Sequence, residues 1–213
     1  QRILDLGIFE TVDIQTEQGD RRDLSVLNVG VEETSTGEVS FGAGISSADG
    51  LIGDVGIRER NLLGRGQELR LGVSFSTQRQ EIDMSFTEPY FLDKDVSAGF
   101  DIFRKNIDLQ DESSFDKDTI GSKLRTNYSL MEDLRHGVNY TLRRDEISEV
   151  ASTASQLIKE QKRAAVTSSV GQNFLYDKRD SRIKPTEGYS ISLGQDFAGI
   201  GGDVTFLRQT ISS

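Results

Sequence analysis

The chain has 213 residues, including 21 Gly, 11 Phe and 5 Tyr but no Cys and no Trp, and its 35 acidic and 25 basic residues give a formal net charge of −10. At about 150 residues per domain, this length predicts one domain, or one domain and part of another. The acidic balance argues against sequence-independent binding of nucleic acid, which requires a basic surface. Without Cys there are no disulfides or thiolate sites, and a single His leaves little for a metal centre or a catalytic triad.

The sequence also lacks the patterns of a membrane-spanning helix and of a signal peptide. No apolar run approaches the ~18 residues of a membrane-spanning helix. Residues 1–5 lack the basic region and the following apolar stretch of a signal peptide. Because the chain starts without Met and stops within a strand pattern, we expect it to be a piece of a longer mature protein.

The first 34 residues differ in pattern from the rest of the chain. Residues 2–9 predict the last turns of a helix, and strand patterns follow at 11–16 and 24–31, with a turn at 19–20. The order helix, strand, turn, strand predicts the C-terminal half of a small α/β module at residues 1–34.

From Gly37 onward, apolar residues recur at every second position, which is the period of a β-strand with one apolar face. This alternation predicts about ten strands, at residues 37–47, 51–61, 66–78, 80–91, 95–108, 118–130, 135–149, 162–176, 186–198 and 202–212. Each of them exceeds the ~5–6 residues that are usual in soluble proteins. Their length suits a tilted strand that crosses a bilayer, which needs about 9–11 residues.

Alternation alone does not distinguish a membrane barrel from a soluble sandwich, because both have one apolar and one polar face. The strand ends favour the barrel. Bulky and often aromatic residues gather at one end of the predicted sheet, as in an interfacial girdle: Leu62, Leu63, Tyr90, Phe91, Phe174 and Tyr176. Longer polar connections fall at the other end, at about residues 109–117 and 150–161. The predicted fold is mainly β, with residues 35–213 forming the N-terminal strands of an antiparallel transmembrane β-barrel; a soluble all-β domain is the alternative.

Four segments, in family order and at family spacing, resemble the BamA family of outer-membrane barrel assembly factors. Residues 6–13 resemble a helix-to-strand junction of a POTRA domain, 61–66 the first periplasmic turn of the barrel, 87–91 the end of its fourth strand, and 180–189 its eighth-to-ninth strand turn. The residues that carry the turn motifs are Asn61, Leu62, Gly64, Gly66, Pro89, Tyr90, Phe91, Pro185 and Gly188. The resemblance implies that residues 1–34 are the C-terminal half of the last POTRA domain and that residues 35–213 belong to a larger barrel.

The resemblance implies folding and insertion of β-barrel proteins into the bacterial outer membrane, with no enzymatic step, no cofactor and no metal. Unpaired backbone groups are costly in hydrocarbon, so a client must pair its strands before lipid surrounds it. An open strand edge offers such pairing by β-augmentation. In this family the edge is the first barrel strand, which maps to Gly37, Glu38, Val39, Ser40, Phe41, Gly42, Ala43, Gly44 and Ile45. Its glycines would loosen the strand, although they would equally suit a crowded lumen.

The partners implied by the resemblance are unfolded outer-membrane proteins, accessory lipoproteins of the assembly complex, periplasmic chaperones and the lipid bilayer, with no nucleic acid. The implied location is the outer membrane of a Gram-negative bacterium, with the N-terminal segment in the periplasm. A two-partner secretion transporter or a translocation-and-assembly module barrel of the same superfamily is the alternative function. A passive pore, a surface lipase barrel and a soluble carbohydrate-binding sandwich are rivals from other classes.

Overall fold

The computed structural model describes residues 8–18, 21, 24–47, 49–151, 156, 164–180 and 185–213. In these residues the structure is almost entirely β, arranged as two antiparallel sheets. The smaller sheet pairs β1 (Phe9–Gln18) with β2 (Ser25–Glu33). Within the same residues, no helix is long and apolar enough to cross a membrane.

The larger sheet is a ten-stranded meander in which every strand pairs with its neighbours in the sequence. Its strands are β3 (Gly37–Ser46), β4 (Gly50–Leu62), β5 (Gln67–Ser76), β6 (Arg79–Glu88), β7 (Val96–Leu109), β8 (Phe115–Met131), β9 (Leu134–Ser148), β10 (Ala164–Asp177), β11 (Ser190–Ala198) and β12 (Phe206–Ser212). Short helical turns at Phe91–Asp93 and Gln110–Ser113 join β6 to β7 and β7 to β8. The predicted antiparallel strands are confirmed as an open sheet with β3 and β12 at its edges, whereas barrel closure and the POTRA assignment of residues 1–34 stay predictions.

Several predicted strand boundaries are wrong, for local reasons. The strand expected from residue 186 begins at Ser190, because the backbone N–H groups of Thr186 and Glu187 both donate to Asp180 Oδ1, at 2.9 and 3.1 Å. The strand expected from residue 202 begins at Phe206, after Asp203 has exchanged two 2.7 Å hydrogen bonds with the backbone of Val166. Most of the helix expected at residues 2–9 lies outside the described residues, and its last residue, Phe9, belongs to β1.

The pairing register sorts side chains onto an apolar and a polar face. One apolar row crosses eight strands with one residue from each: Leu69, Phe86, Phe100, Leu124, Tyr140, Val170, Phe197 and Leu207. Many side chains on this face are solvent-exposed. An exposed apolar face of this extent is typical of strands that contact lipid, so we call it the outward face.

The opposite face is polar and contains ion pairs between neighbouring strands. Lys105 pairs with Glu81 at 3.4 Å and Arg58 pairs with Glu68 at 3.0 Å. Arg125 on β8 reaches across β7 to β6, where its guanidinium donates to Asp101 Oδ2 at 3.1 Å and to the hydroxyl oxygens of Ser85 and Thr87 at 2.8 and 2.9 Å. These bonds join three strands from the inner side, which suits a face that encloses a polar lumen.

Candidate strand-pairing edge

Strand β3 is an edge strand with an open side. It pairs with β4 from Gly37 opposite Glu59 to Ser46 opposite Gly50. Within the described part of the chain, no strand pairs with its other side. Such an edge presents a row of backbone N–H and C=O groups that a further strand can bind. All nine residues predicted for the pairing edge, from Gly37 to Ile45, lie in this strand.

The outward side chains of β3 have little contact with the rest of the sheet. Phe41 is 78% exposed and Ile45 is 88% exposed, whereas Val55, opposite Phe41 on β4, is 37% exposed. Because these side chains bury little surface, the middle of β3 is held mainly by its backbone ladder with β4. A strand held in this way can change its pairing at low cost.

The glycines of β3 have different environments. At Gly42 the Asp54 carboxylate occupies the space that a Cβ atom would need. At Gly44 a Cβ would meet no heavy atom within 4 Å. Crowding on the inner face therefore explains Gly42 but not Gly44. The absence of a side chain at Gly44 weakens the strand without any steric need.

The start of β3 is attached to β4 through Glu59. Thr36, which is only 8% exposed, donates its hydroxyl to Glu59 Oε1, and the backbone N–H of Asn61 donates to the same oxygen at 2.8 Å. Two residues earlier, the N–H of Thr34 donates to the carbonyl of Ile8 at 3.1 Å. These bonds hold the short connection between the two sheets. Sequence reasoning missed both side chains, although Glu59 interrupts the apolar alternation of Val55 and Ile57.

The end of β3 is held by the turn that follows it. The N–H of Asp49 donates to Ser46 Oγ at 3.1 Å. The carbonyl of Asp49 accepts from Thr77, from its hydroxyl at 2.6 Å and from its backbone N–H at 3.3 Å. Side-chain bonds therefore fix both ends of β3, while its middle, within the described part of the chain, is held mainly by the ladder.

The first turn motif, residues 61–66, contains residues that the geometry of the β4–β5 turn requires. Asn61 Oδ1 accepts the N–H of Gly66 at 2.7 Å, and the carbonyl of Asn61 accepts the N–H of Gly64 at 2.9 Å. Gly64 and Gly66 have φ angles of +70° and +66°, which glycine adopts without the steric cost of a side chain. Leu62 ends β4, opposite Gln67. The motif therefore closes the β4–β5 hairpin.

The other two motifs form turns at the same end of the sheet. Pro89 follows β6, the N–H of Tyr90 donates to Glu88 Oε1 at 3.1 Å, and Phe91 begins the short helical turn. Pro185 and Gly188 belong to the β10–β11 connection, where a Cβ at Gly188 would overlap the carbonyl of Lys178. In that connection two hydrogen bonds of 2.8 Å to Asp177 raise the pKa of the Arg179 guanidinium.

An open strand edge of this kind can offer backbone hydrogen bonds to a further strand. Among the residues that the structure describes, no group of three or more His, Asp or Glu side chains is placed to hold a metal ion. The single His136 shares a 2.7 Å hydrogen bond with the Tyr128 hydroxyl, and its ring stacks on Phe174 at 4.3 Å between centroids. These contacts give the histidine a structural role.

Comparison with known families identifies the class of this protein. The model of the Omp85 superfamily domain matches residues 61–213. The chain therefore belongs to the Omp85 superfamily.

Its sequence relatives include proteins named outer membrane protein assembly factor BamA. The protein from Neorickettsia risticii is 32% identical over 208 residues, which cover 98% of this chain and 28% of the relative. The protein from Nitratidesulfovibrio vulgaris is 33% identical over 207 residues, which cover 95% of this chain and 26% of the relative. The chain thus spans just over a quarter of the length of these relatives. The predicted resemblance to the BamA family is confirmed, and with it the outer-membrane location.

Solved structures share the fold. The crystal structure of BamA from Haemophilus ducreyi lacking POTRA domains 1–3 gives a TM-score of 0.75 at 22% identity, covering 95% of this chain and 41% of that chain. The structure of CdiB from Acinetobacter baumannii gives a TM-score of 0.63 at 14% identity, covering 98% of this chain and 41% of that chain. Both likenesses concern the fold alone.

Proposed function

We propose that this chain is the part of a BamA-type assembly factor that inserts β-barrel proteins into the outer membrane, and that β3 provides the templating edge. The observation that carries the proposal is the open side of β3, a strand whose ends are fixed by side chains and whose middle is not. The BamA sequence relatives support the same function. The proposed pairing makes and breaks no covalent bond, so no enzymatic activity is proposed.

The physical reason for a template is the cost of unpaired backbone in hydrocarbon, which is several kcal/mol for each group. A client strand that pairs with β3 satisfies one row of its N–H and C=O groups before lipid reaches it. Recognition is by backbone, and therefore many client sequences can be accepted. Fixed ends keep β3 in register, while its loosely packed middle allows the client strand to enter.

The N-terminal unit is proposed to lie in the periplasm as the C-terminal half of a POTRA domain. A hollow of ≈ 560 Å³ lies between this unit, at Phe9 and Glu33, and the end of the large sheet, at Arg58 and Asn61 of β4 and at Tyr90. This places β1 and β2 beside the sheet end where β3 begins. Accessory lipoproteins and periplasmic chaperones are proposed to deliver unfolded outer-membrane proteins to this side.

Cysteine cross-linking in the full-length parent tests the templating edge, since this segment has no Cys of its own. Single cysteines would replace Val39, Ala43 or Ile45 on β3, with Leu71 and Val73 on the interior strand β5 as matched controls. A stalled client would carry one cysteine in its last strand. We expect disulfides in a single register with β3 and none with β5. Equal cross-linking of β5, or none to β3, would reject the templating edge.

A secretion transporter of the same superfamily is the second candidate, because the superfamily match over residues 61–213 does not by itself distinguish it from an assembly factor. Depletion of the full-length parent in its own cell separates the two functions. An assembly factor predicts a general fall in folded outer-membrane barrels and loss of viability. A secretion transporter predicts the loss of one secreted protein while other barrels fold normally.

A further inference from the structure

An open hollow lies at the outer rim of the sheet, at the end where β3 begins. Its volume is ≈ 670 Å³, and its lining includes Arg65, Gln67, Glu88, Tyr90, Phe91 and Leu92. We call this hollow the rim cup. The templating edge makes no use of it, since β5 and β6 are interior strands of the sheet.

The rim cup opens on the outward face. Leu69 lies opposite Phe86 on that face, so Gln67 and Glu88, two residues further along each strand, point to the same side. Gln67 Nε2 donates to Glu88 Oε2 at 2.6 Å. Leu69 and Phe86 therefore form an apolar surface directly beside a polar cup, and Phe86 stacks on Phe100 at 5.5 Å.

The cup contains charges of both signs. Arg65 is exposed, and among the described residues it has no ion-pair partner. Glu88 accepts one hydrogen bond at each carboxylate oxygen, from Gln67 and from the N–H of Tyr90, which leaves each oxygen a further lone pair. Asp93 adds a second carboxylate, and Tyr90 and Phe91 add aromatic rings, whose faces attract cations. The net charge of the lining is negative.

Two exposed leucines near the cup have a strained backbone conformation: Leu92 belongs to its lining, and Leu63 lies two residues before Arg65. Leu63 and Leu92 both have φ of +56° and are 83% and 72% exposed. A left-handed conformation costs free energy for a residue with a side chain, and it is kept only where its surroundings favour it. Here it places two large apolar side chains at the rim, where the acyl region of a bilayer would meet its headgroups.

We propose that the rim cup binds the headgroup of an aminophospholipid in the periplasmic leaflet. Arg65 binds the phosphate, and Glu88, Asp93 and the Tyr90 ring bind the primary ammonium group. The acyl chains lie over Leu69 and Phe86. The negative lining favours a headgroup with an ammonium group over one with the phosphate charge alone. This inference rests on the proposed membrane orientation of the outward face.

Native mass spectrometry of the full-length parent tests the inference. The detergent-solubilised protein would be titrated with equal amounts of phosphatidylethanolamine and phosphatidylglycerol. We expect retention to favour phosphatidylethanolamine by about tenfold, the lower end of what one hydrogen bond to a charged group supplies. Glu88→Gln should abolish this preference, because the amide has no charge. Its oxygen can still accept from the N–H of Tyr90, and its NH2 group can donate to Gln67 once the Gln67 amide has turned. Arg65→Gln should weaken the retention of both lipids.

Matched controls lie on the outward face at the other end of the strands. Arg104→Gln and Glu146→Gln remove the same charges from surface ion pairs with Asp118 and Arg144. They should leave the lipid preference unchanged. Equal effects of control and cup variants would overturn the inference. Displacement of the lipid by soluble phosphoethanolamine at equal concentration would refute the proposal that the occupant is a lipid.

Heat-modifiable migration and client assembly, measured on the same samples, separate this inference from the proposed function. A folded parent that assembles clients but shows no lipid preference refutes the rim cup alone. A parent that never enters a bilayer refutes the membrane orientation and the cup together.

Discussion

Replacing Gly44 with Ala should slow client assembly by stiffening the templating edge. The added methyl group meets no atom within 4 Å, so the native state is not strained. Gly within a strand is less favourable than Ala by about 0.5–1 kcal/mol. If β3 separates from β4 when a client enters, the population of molecules with β3 unpaired should fall by about two- to fivefold.

The matched variant is Gly42→Ala in the same strand. Its Cβ would overlap the Asp54 carboxylate, so Asp54 must move before the strand can gain from the substitution. We expect this variant to protect β3 less than Gly44→Ala does, or to loosen it.

Hydrogen exchange and client assembly, both measured on the full-length parent in a bilayer, supply the assay. Slower exchange across residues 37–46 together with slower assembly is expected for Gly44→Ala. Equal protection by both alanine variants would refute the crowding argument. If hydrogen exchange shows that β3 is protected but the rate of client assembly is unchanged, edge opening has no role in assembly.

Three further substitutions test the supports of the sheet. Thr36→Val removes the hydroxyl that binds Glu59 and should destabilise the start of β3 by about 1 kcal/mol, seen as faster exchange near residue 37 but not near residue 46. Gly99→Ala places a Cβ 2.5 Å from the Phe86 carbonyl oxygen and 2.8 Å from the Arg125 guanidinium, so both β6 and the arginine must shift. Unfolding in urea should become easier by about 1–3 kcal/mol, whereas an unchanged midpoint would show that the sheet tolerates the added methyl group. Asp180→Ala removes the acceptor of two backbone N–H groups and should speed proteolysis of the β10–β11 connection, with Asp203→Ala, in the next connection, as the control that leaves this cleavage unchanged.

Local patterns in the sequence determined the strands and the turns. Alternation with a period of two depends only on neighbouring residues, so it located each strand and its apolar face without knowledge of the partner strand. The Asn-Leu-Leu-Gly-Arg-Gly motif was equally readable, because Asn61 and the positive φ angles of Gly64 and Gly66 act within one hairpin. The family resemblance came from the same short segments.

Contacts between strands were decided only by the tertiary structure. Gly42 and Gly44 look equivalent in the sequence, and they differ because the pairing register places Asp54 against the first of them. Glu59 reaches Thr36 only after β3 has paired with β4, and the hollow between Arg65 and Glu88 exists only once β5 lies beside β6. The physical reason is that a side chain across a strand pair can be any number of residues away in the sequence, while its distance in space is set by register.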